Sequence, residues 1–351
     1  MNIVALGAAF IWAMISIYTI LGGIDFGSSF WRWYFSRRNN WEAEEVAHSF
    51  VSPTWELVNS FLVLIPVAIV GLFPGAAYAY GSILLIPASM VLGLLILRGA
   101  YWQFGYASEQ KHSSIIWVVG LTGLILPGLF ATILGLSQGG YVGRGTQGAY
   151  VLPFAKFLFS PQVLVFLAFG ILMALYLSAL FLAQYAKQAG SLETFAAFRR
   201  SAQWVGPLSA VSGILAIVSS MHGQLDMSHR LVTWWPLLGL SFVMFLVGYA
   251  GLFRPVETSK ARMSLWATVI QLVLAQIAYG CAHYPYVLYP YLTFSDAASN
   301  HSMFVTTLVI FVAGFALLAP GFYLFRSLFI KDVQSVVSQT ASRGTVTPKR
   351  G

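Results

Sequence analysis

Two carboxylates in otherwise apolar surroundings have the chemistry to carry protons. The stretch "LGGIDFGSSFW" (21–31) holds Asp25 among glycines, small hydroxyls and bulky apolar groups, and "SPTWELVNSF" (52–61) holds Glu56 just ahead of Asn59 and Ser60. On a helix, positions three, four and seven apart share a face. Tyr18, Gly22, Asp25, Ser28 and Ser29 then form one small polar stripe, and Glu56, Asn59 and Ser60 a second. An ionised aspartate facing hydrocarbon costs about 2.5 kcal/mol or more, so the Asp25 stripe is expected to face water or protein. Gly22, Gly23 and Gly27 let another backbone approach it closely. Two acids, an amide and hydroxyls on facing stripes make a polar route for protons. Two plainer roles compete with it. Glu56 can complement the positive end of a helix dipole, and Asp25 can be a neutral carboxyl hydrogen-bonded to a neighbouring helix.

The elements that position these groups follow from composition. Only 9% of the 351 residues are charged, 58% are hydrophobic and the mean hydropathy is +0.76, against about 25% charged in soluble chains. The expected fold class is an all-α integral membrane protein, because backbone groups in lipid must be paired within the segment and the pattern does not suit barrel strands. Apolar runs of about 20 residues fall at 3–31, 54–74, 77–98, 114–137, 160–186, 203–221, 232–253, 263–282 and 303–329, giving nine transmembrane helices. Lysines and arginines between them, with Arg98 counted at the end of the third span, number sixteen on one side and three on the other. That bias predicts the N-terminus outside and the C-terminus in the cytoplasm. Residues 1–330 form the transmembrane domain on this reading, and 331–351 a polar cytoplasmic tail expected to be disordered.

The second span is predicted to start inside, with Ser52 as N-cap and Pro53 at the first helical position. Asp25 and Glu56 then approach the membrane from the same, cytoplasmic side. "NWEAEEVAHSFV" (40–51) reads as a separate interfacial helix, anchored by Trp41, Val46 and Phe50 and wetted by Glu42, Glu44 and Glu45. The tyrosine-dense "CAHYPYVLYPYLTFSD" (281–296) suits the outer interface.

Other signals exclude function classes. The net charge of +8 comes from small basic groups at the ends of apolar runs, without the basic stripe that nucleic acid requires. Cys281 is the single cysteine, which rules out an internal disulfide or a multi-cysteine metal site. The N-terminus lacks the positively charged region of a secretory signal and reads as a retained helix. "GRGTQG" (143–148) fits a dinucleotide-binding pattern but follows a membrane helix rather than a strand, so it is expected to be a loop. His222, Asp226 and His229, with His283 or His301 on the same side, have the ligand types for a metal; exposed loop histidines are the plainer reading, and no metal is expected. No histidine falls deep in a span, where axial haem ligands ordinarily lie, so no cofactor is expected on this chain.

Four stretches in order carry a resemblance: "GGIDFGSSF", "SPTWELVNSFLVLIPVAIVGLFPGAAYAYG", "LLILRGAYWQFGY" and "LTFSDAASN". The chain resembles subunit II of cytochrome bd-type quinol oxidases across its whole length. The family's helix 1 pattern D-G-F-D-x-G is met here by Asp25 as the second acid, with glycine in place of the first; its W-D-x-N is met by "WELVN", where Glu56 stands in for aspartate beside Trp55 and Asn59. The resemblance implies a quinol:O2 oxidoreductase of the prokaryotic cell membrane, with three haems (b and d types) and the quinol site in a haem-bearing subunit I. It implies a pseudo-symmetric heterodimer, a cytoplasmic proton path partly in subunit II, an extra single-helix subunit in some members, and room for a structural quinone. Within the resembling stretches Trp55, Arg98 and Asp296 are candidates for structural or partner contacts. The competing reading is a proton- or cation-coupled secondary transporter with acids on broken helices; a third is an inert scaffold.

Overall fold

Apolar runs of this length can bury their backbone only as helices, and the structure, a computed structural model, is built of them. It describes residues 3–107, 113–145, 150–223, 225–254, 261–318 and 320, apart from the side chains of 50–57, 104–107, 113, 144, 222–223 and 225–228. Helix α1 spans Ile3–Arg37, α2 Trp41–Leu72, α3 Pro74–Ile83, α4 Leu85–Ala107 and α5 Ser113–Ser137. A two-stranded ladder, β1 (Gly143–Arg144) with β2 (Tyr150–Val151), and the short α6 (Phe154–Leu158) lead to α7 (Pro161–Gln188), α8 (Leu192–Gly223), α9 (Leu225–Thr233) and α10 (Trp235–Ala250). Helix α11 (Ala261–His283), the antiparallel pair β3 (Tyr286–Leu288) and β4 (Leu292–Thr293), and α12 (Phe294–Ala297) precede a last helix, α13, over His301–Leu318.

Eight of these helices are long and apolar enough to cross a membrane, and the apolar part of α2, Val58–Leu72, occupies the place of the remaining expected span. Helices α1, α2, α4 and α5 pack on one side and α7, α8, α10 and α11 on the other, with α1, α5 and α7 forming the seam. One core cluster joins α1, α7 and α8 through Trp31, Phe35, Tyr176, Leu180, Phe195 and Phe198; another joins α1, α2 and α13 through Ile11, Met14, Leu72 and Phe304.

Local chemistry explains where the boundaries differ from expectation. Helix α1 continues past 31 and stops at Asn39, whose φ of 54° is left-handed; Asn40 N–H donates to Phe35 O and Asn39 N–H to Ser36 O, a Schellman closure. The separate interfacial helix and the Ser52 cap do not form. Instead α2 starts at Asn40, whose side chain accepts from Ala43 N at 3.1 Å, and continues through Pro53, since a missing N–H is tolerated in a membrane helix. The third crossing begins at Leu85 rather than 77. Pro74 opens the short α3, Leu84 separates it from α4, and Pro87 sits in the first turn of α4, where it lacks nothing. The crossing therefore extends to Ala107, which puts Arg98 inside it. Arg98 is 2% exposed, so it is not one of the sixteen loop charges.

The far end of the bundle, away from Arg37, is closed by β3–β4 and α12 over α3. Tyr80 donates to Val287 O at 2.8 Å, and burial raises its phenol above the ordinary range. At the seam Trp31 Nε1 donates to Leu175 O and to Ser178 Oγ, both at 3.1 Å. Trp31→Phe removes both bonds and is expected to lower stability by about 1–3 kcal/mol, read as a lower Tm in detergent.

Candidate functional site

Asp25 is 1% exposed on α1, and the residue that meets it comes from α4. Arg98 Nη2 donates to Asp25 Oδ2 at 2.8 Å and to Ser29 Oγ at 2.9 Å, while its Cζ lies 4.8 Å from the centroid of the Phe26 ring. One guanidinium thus bridges two positions of the Asp25 stripe from across the helix pair. Ser29 Oγ also donates to Asp25 O, one turn back. The walls are apolar: Tyr18, Phe26, Val58, Phe61 and Leu126 form one buried cluster, with Leu94 and Leu95 of α4 and Phe130 of α5 against it.

The polar inventory of this pocket does not close. Among the described residues Asp25 Oδ1, Ser28 Oγ, Tyr18 OH and Arg98 Nε are buried and have no hydrogen-bond partner. Tyr18 lies two turns before Asp25 on the same stripe of α1. Buried polar groups are ordinarily paired with protein or ordered water. Four such atoms around one ion pair therefore mark a place where water belongs.

The expected residues divide. Asp25, Ser28 and Ser29 lie together with Arg98, and Arg98 is a contact to Asp25 within the chain. On α2 the residues turned onto Tyr18 and Phe26 are Val58 and Phe61, so Asn59 is half-buried and Ser60 exposed on the flanks. The side chains of Glu56 and Trp55 lie outside the described residues. Asp296 is elsewhere: it is exposed in α12, where Thr293 Oγ1 donates to Asp296 Oδ2 at 2.5 Å and accepts from Asp296 N, a local cap.

Toward the Arg37 end lie larger groups. The Arg32 Cζ lies 5.9 Å from the Trp102 ring, and the His48 ring 5.8 Å from the same indole. Glu44, expected on a wet face, is 7% exposed.

A second polar cluster was not expected. Gln138 Nε2 donates to Ser220 Oγ at 2.8 Å and to Tyr279 OH at 3.0 Å, Gln162 Nε2 donates to Gln138 Oε1 at 2.5 Å, and Tyr279 OH donates to Leu134 O at 2.6 Å. It ties α5, α7, α8 and α11 at the far end. Its only trace in the sequence is a pair of amides at span edges.

Of the trio with metal-type ligands, His222 and Asp226 have side chains outside the described residues and His229 is exposed. No group of three metal-type ligands occurs among the described residues. His283, expected in an exposed loop, is buried at the end of α11: its Nε2 lies 3.4 Å from Val287 O and its ring is stacked on Tyr279 at 5.7 Å. "GRGTQG" opens in the β1–β2 ladder, with 146–149 outside the described residues.

The family model for cytochrome bd terminal oxidase subunit II matches residues 3–329. The chain belongs to that family. It is 33% identical over 331 residues, 92% of this chain and 94% of the relative, to a Bacillus subtilis (strain 168) protein that carries the name cytochrome bd menaquinol oxidase subunit II. Its fold is similar to a chain of the bd oxidase structure from Geobacillus thermodenitrificans, with TM-score 0.80, 34% identity, and coverage of 94% of this chain and 99% of that one. As a subunit II the protein is a component of an oxidoreductase complex and a multi-pass protein of the prokaryotic cell membrane. The assignment decides between oxidase subunit and transporter in favour of the former. The family also implies haem in the complex. Of the described histidines His283 is the buried one; its Nε2 lies against the Val287 carbonyl and its ring lies flat on Tyr279.

Proposed function

We propose that this subunit II pairs with a haem-bearing subunit I, which holds the quinol and oxygen chemistry, and delivers cytoplasmic protons to it past Asp25. The substrate class is a quinol; menaquinol is the one in the name of the Bacillus relative. The observation that carries the reading is the Asp25–Arg98 pair, in which Asp25 Oδ1 and Arg98 Nε, with Ser28 Oγ and Tyr18 OH on the same stripe, are buried without a hydrogen-bond partner among the described residues. Arg98 holds Oδ2, and Oδ1 is left to accept a proton from water and pass it on. Ser28, Ser29 and Tyr18 offer hydroxyls on the same stripe to orient that water. The Arg32, Trp102 and His48 group supports a mouth at the end of the bundle that carries Arg37 and Arg38, which the charge bias assigns to the cytoplasm. Glu56, on the helix facing this stripe, is the second acid of the path.

The test is turnover in the intact complex with haem content measured alongside. Asp25→Asn keeps shape and removes the titrating group; quinol oxidation is expected to fall at least about tenfold at unchanged haem content, since a positioned acid or base is commonly worth more than that. Full turnover in Asp25→Asn would sink the proton role. Loss of haem together with activity would instead mark Asp25 as an assembly residue.

A further inference from the structure

A groove outside the Asp25 pocket opens between the end of α7 and the start of α11, with a volume of about 600 Å³. Among the described residues its rim holds two cations, Lys187 and Arg262, two amides, Gln184 and Gln188, and the indole of Trp266, and no carboxylate. Lys187 Nζ is held over the Phe195 ring at 5.4 Å, which keeps its charge at the α7 rim. Arg262 is exposed in the first turn of α11, where the helix dipole is positive. We propose that this groove binds the phosphodiester headgroup of an anionic phospholipid.

The order of side chains along α11 selects a lipid over a soluble anion. Arg262, Trp266 and Ile270 are spaced by four residues and so share a face, and Ile277 continues it two turns on. Trp266 is 59% exposed, Ile270 45% and Ile277 43%. Reading inward from the helix end, the face offers a cation, then an amphipathic ring, then bare aliphatic surface. A bilayer presents its headgroup, its interface and its acyl chains in that same order. Basic pockets between membrane helices at one leaflet recognise anionic headgroups by this combination. Inorganic phosphate would use the two cations alone and leave the aliphatic face unused.

The site is independent of the proton path, so its test does not depend on that reading. The purified complex, stripped of lipid in mild detergent, is titrated with phosphatidylglycerol, phosphatidylcholine or inorganic phosphate. Bound lipid is counted by native mass spectrometry, and contact is read as quenching of Trp266 fluorescence by brominated acyl chains, with Trp266→Phe to isolate that signal. Phosphatidylglycerol is expected to bind more tightly than phosphatidylcholine. Arg262→Gln is expected to weaken it about fivefold and Lys187→Gln with Arg262→Gln about twentyfold or more, at roughly fivefold per cation, while quinol oxidation and haem content stay unchanged. Lys187→Arg should retain the preference. Should Lys187→Gln disturb the Phe195 contact, Arg262→Gln alone still decides. An unchanged preference in Arg262→Gln overturns the proposal. So do equal binding of the two lipids, phosphate binding with no lipid quenching, and a Trp266 that no brominated lipid reaches because a protein partner covers it.

Discussion

Arg98→Leu is expected to destabilise the subunit by about 3–5 kcal/mol, which is the usual penalty for stranding one member of a buried ion pair. Asp25 is 1% exposed, and Arg98 supplies its one side-chain partner among the described residues. Without the guanidinium, the carboxyl must take up a proton or the helices must part. Arg98→Lys should lose less, because a charge remains, yet the shorter lysine stem must bring its ammonium to the point where Nη2 alone now bridges Asp25 and Ser29. The informative variant is double. Asp25→Leu with Arg98→Met replaces the pair by apolar groups, and such swaps are commonly neutral or stabilising. Its Tm is expected to return close to that of the unmodified protein while quinol oxidation stays lost. An Arg98→Leu protein that melts normally would mean that the pair contributes nothing to the fold. A double variant that melts normally and also turns over normally would mean that it contributes nothing to function.

The sequence made Asp25 legible and the burial of Arg98 within a span illegible, for one physical reason. An acid between glycines and serines in the middle of an apolar run has no solvent explanation. An arginine thirteen residues into a run resembles a loop charge as soon as the run is begun too early. Pro74 and Pro87 set the true start: each is accommodated in a first helical turn, so the short α3 precedes the crossing and shifts its register along the chain. Helix existence and class followed from hydropathy because lipid leaves the backbone no alternative. The continuity of α2 through Pro53 did not follow, because proline breaks soluble helices more reliably than membrane ones. The Gln138 network was out of reach for a different reason: its partners lie 24 to 145 residues apart, and uncharged amides at span edges carry no periodic signal.

Two glycines on one stripe of α1 are expected to respond in opposite ways to the same substitution. At Gly27 an added Cβ falls 2.6 Å from Ala174 O and into the Ser178 hydroxyl. A backbone carbonyl of α7 cannot rotate away, and Ser178 is held by its own bond to Ala174 O at 2.7 Å and by Trp31 Nε1. Helix α1 must therefore move off α7, two residues from Asp25. Gly27→Ala is expected to cost about 3 kcal/mol, the upper range for overpacking, and Gly27→Val more. Oxidase turnover should fall with it, because the displacement acts on the Asp25–Arg98 geometry directly. At Gly23 the nearest atom to an added Cβ is Leu177 Cδ2 at 3.5 Å, an ordinary contact. Gly23→Ala should be neutral, or stabilise by about 0.4–1 kcal/mol through lost freedom of the unfolded chain. Thermal unfolding of the two single variants in the assembled complex separates the cases. Equal Tm values would place the α1–α7 contact elsewhere than Gly27, and with it the seam that fixes Asp25 opposite Arg98.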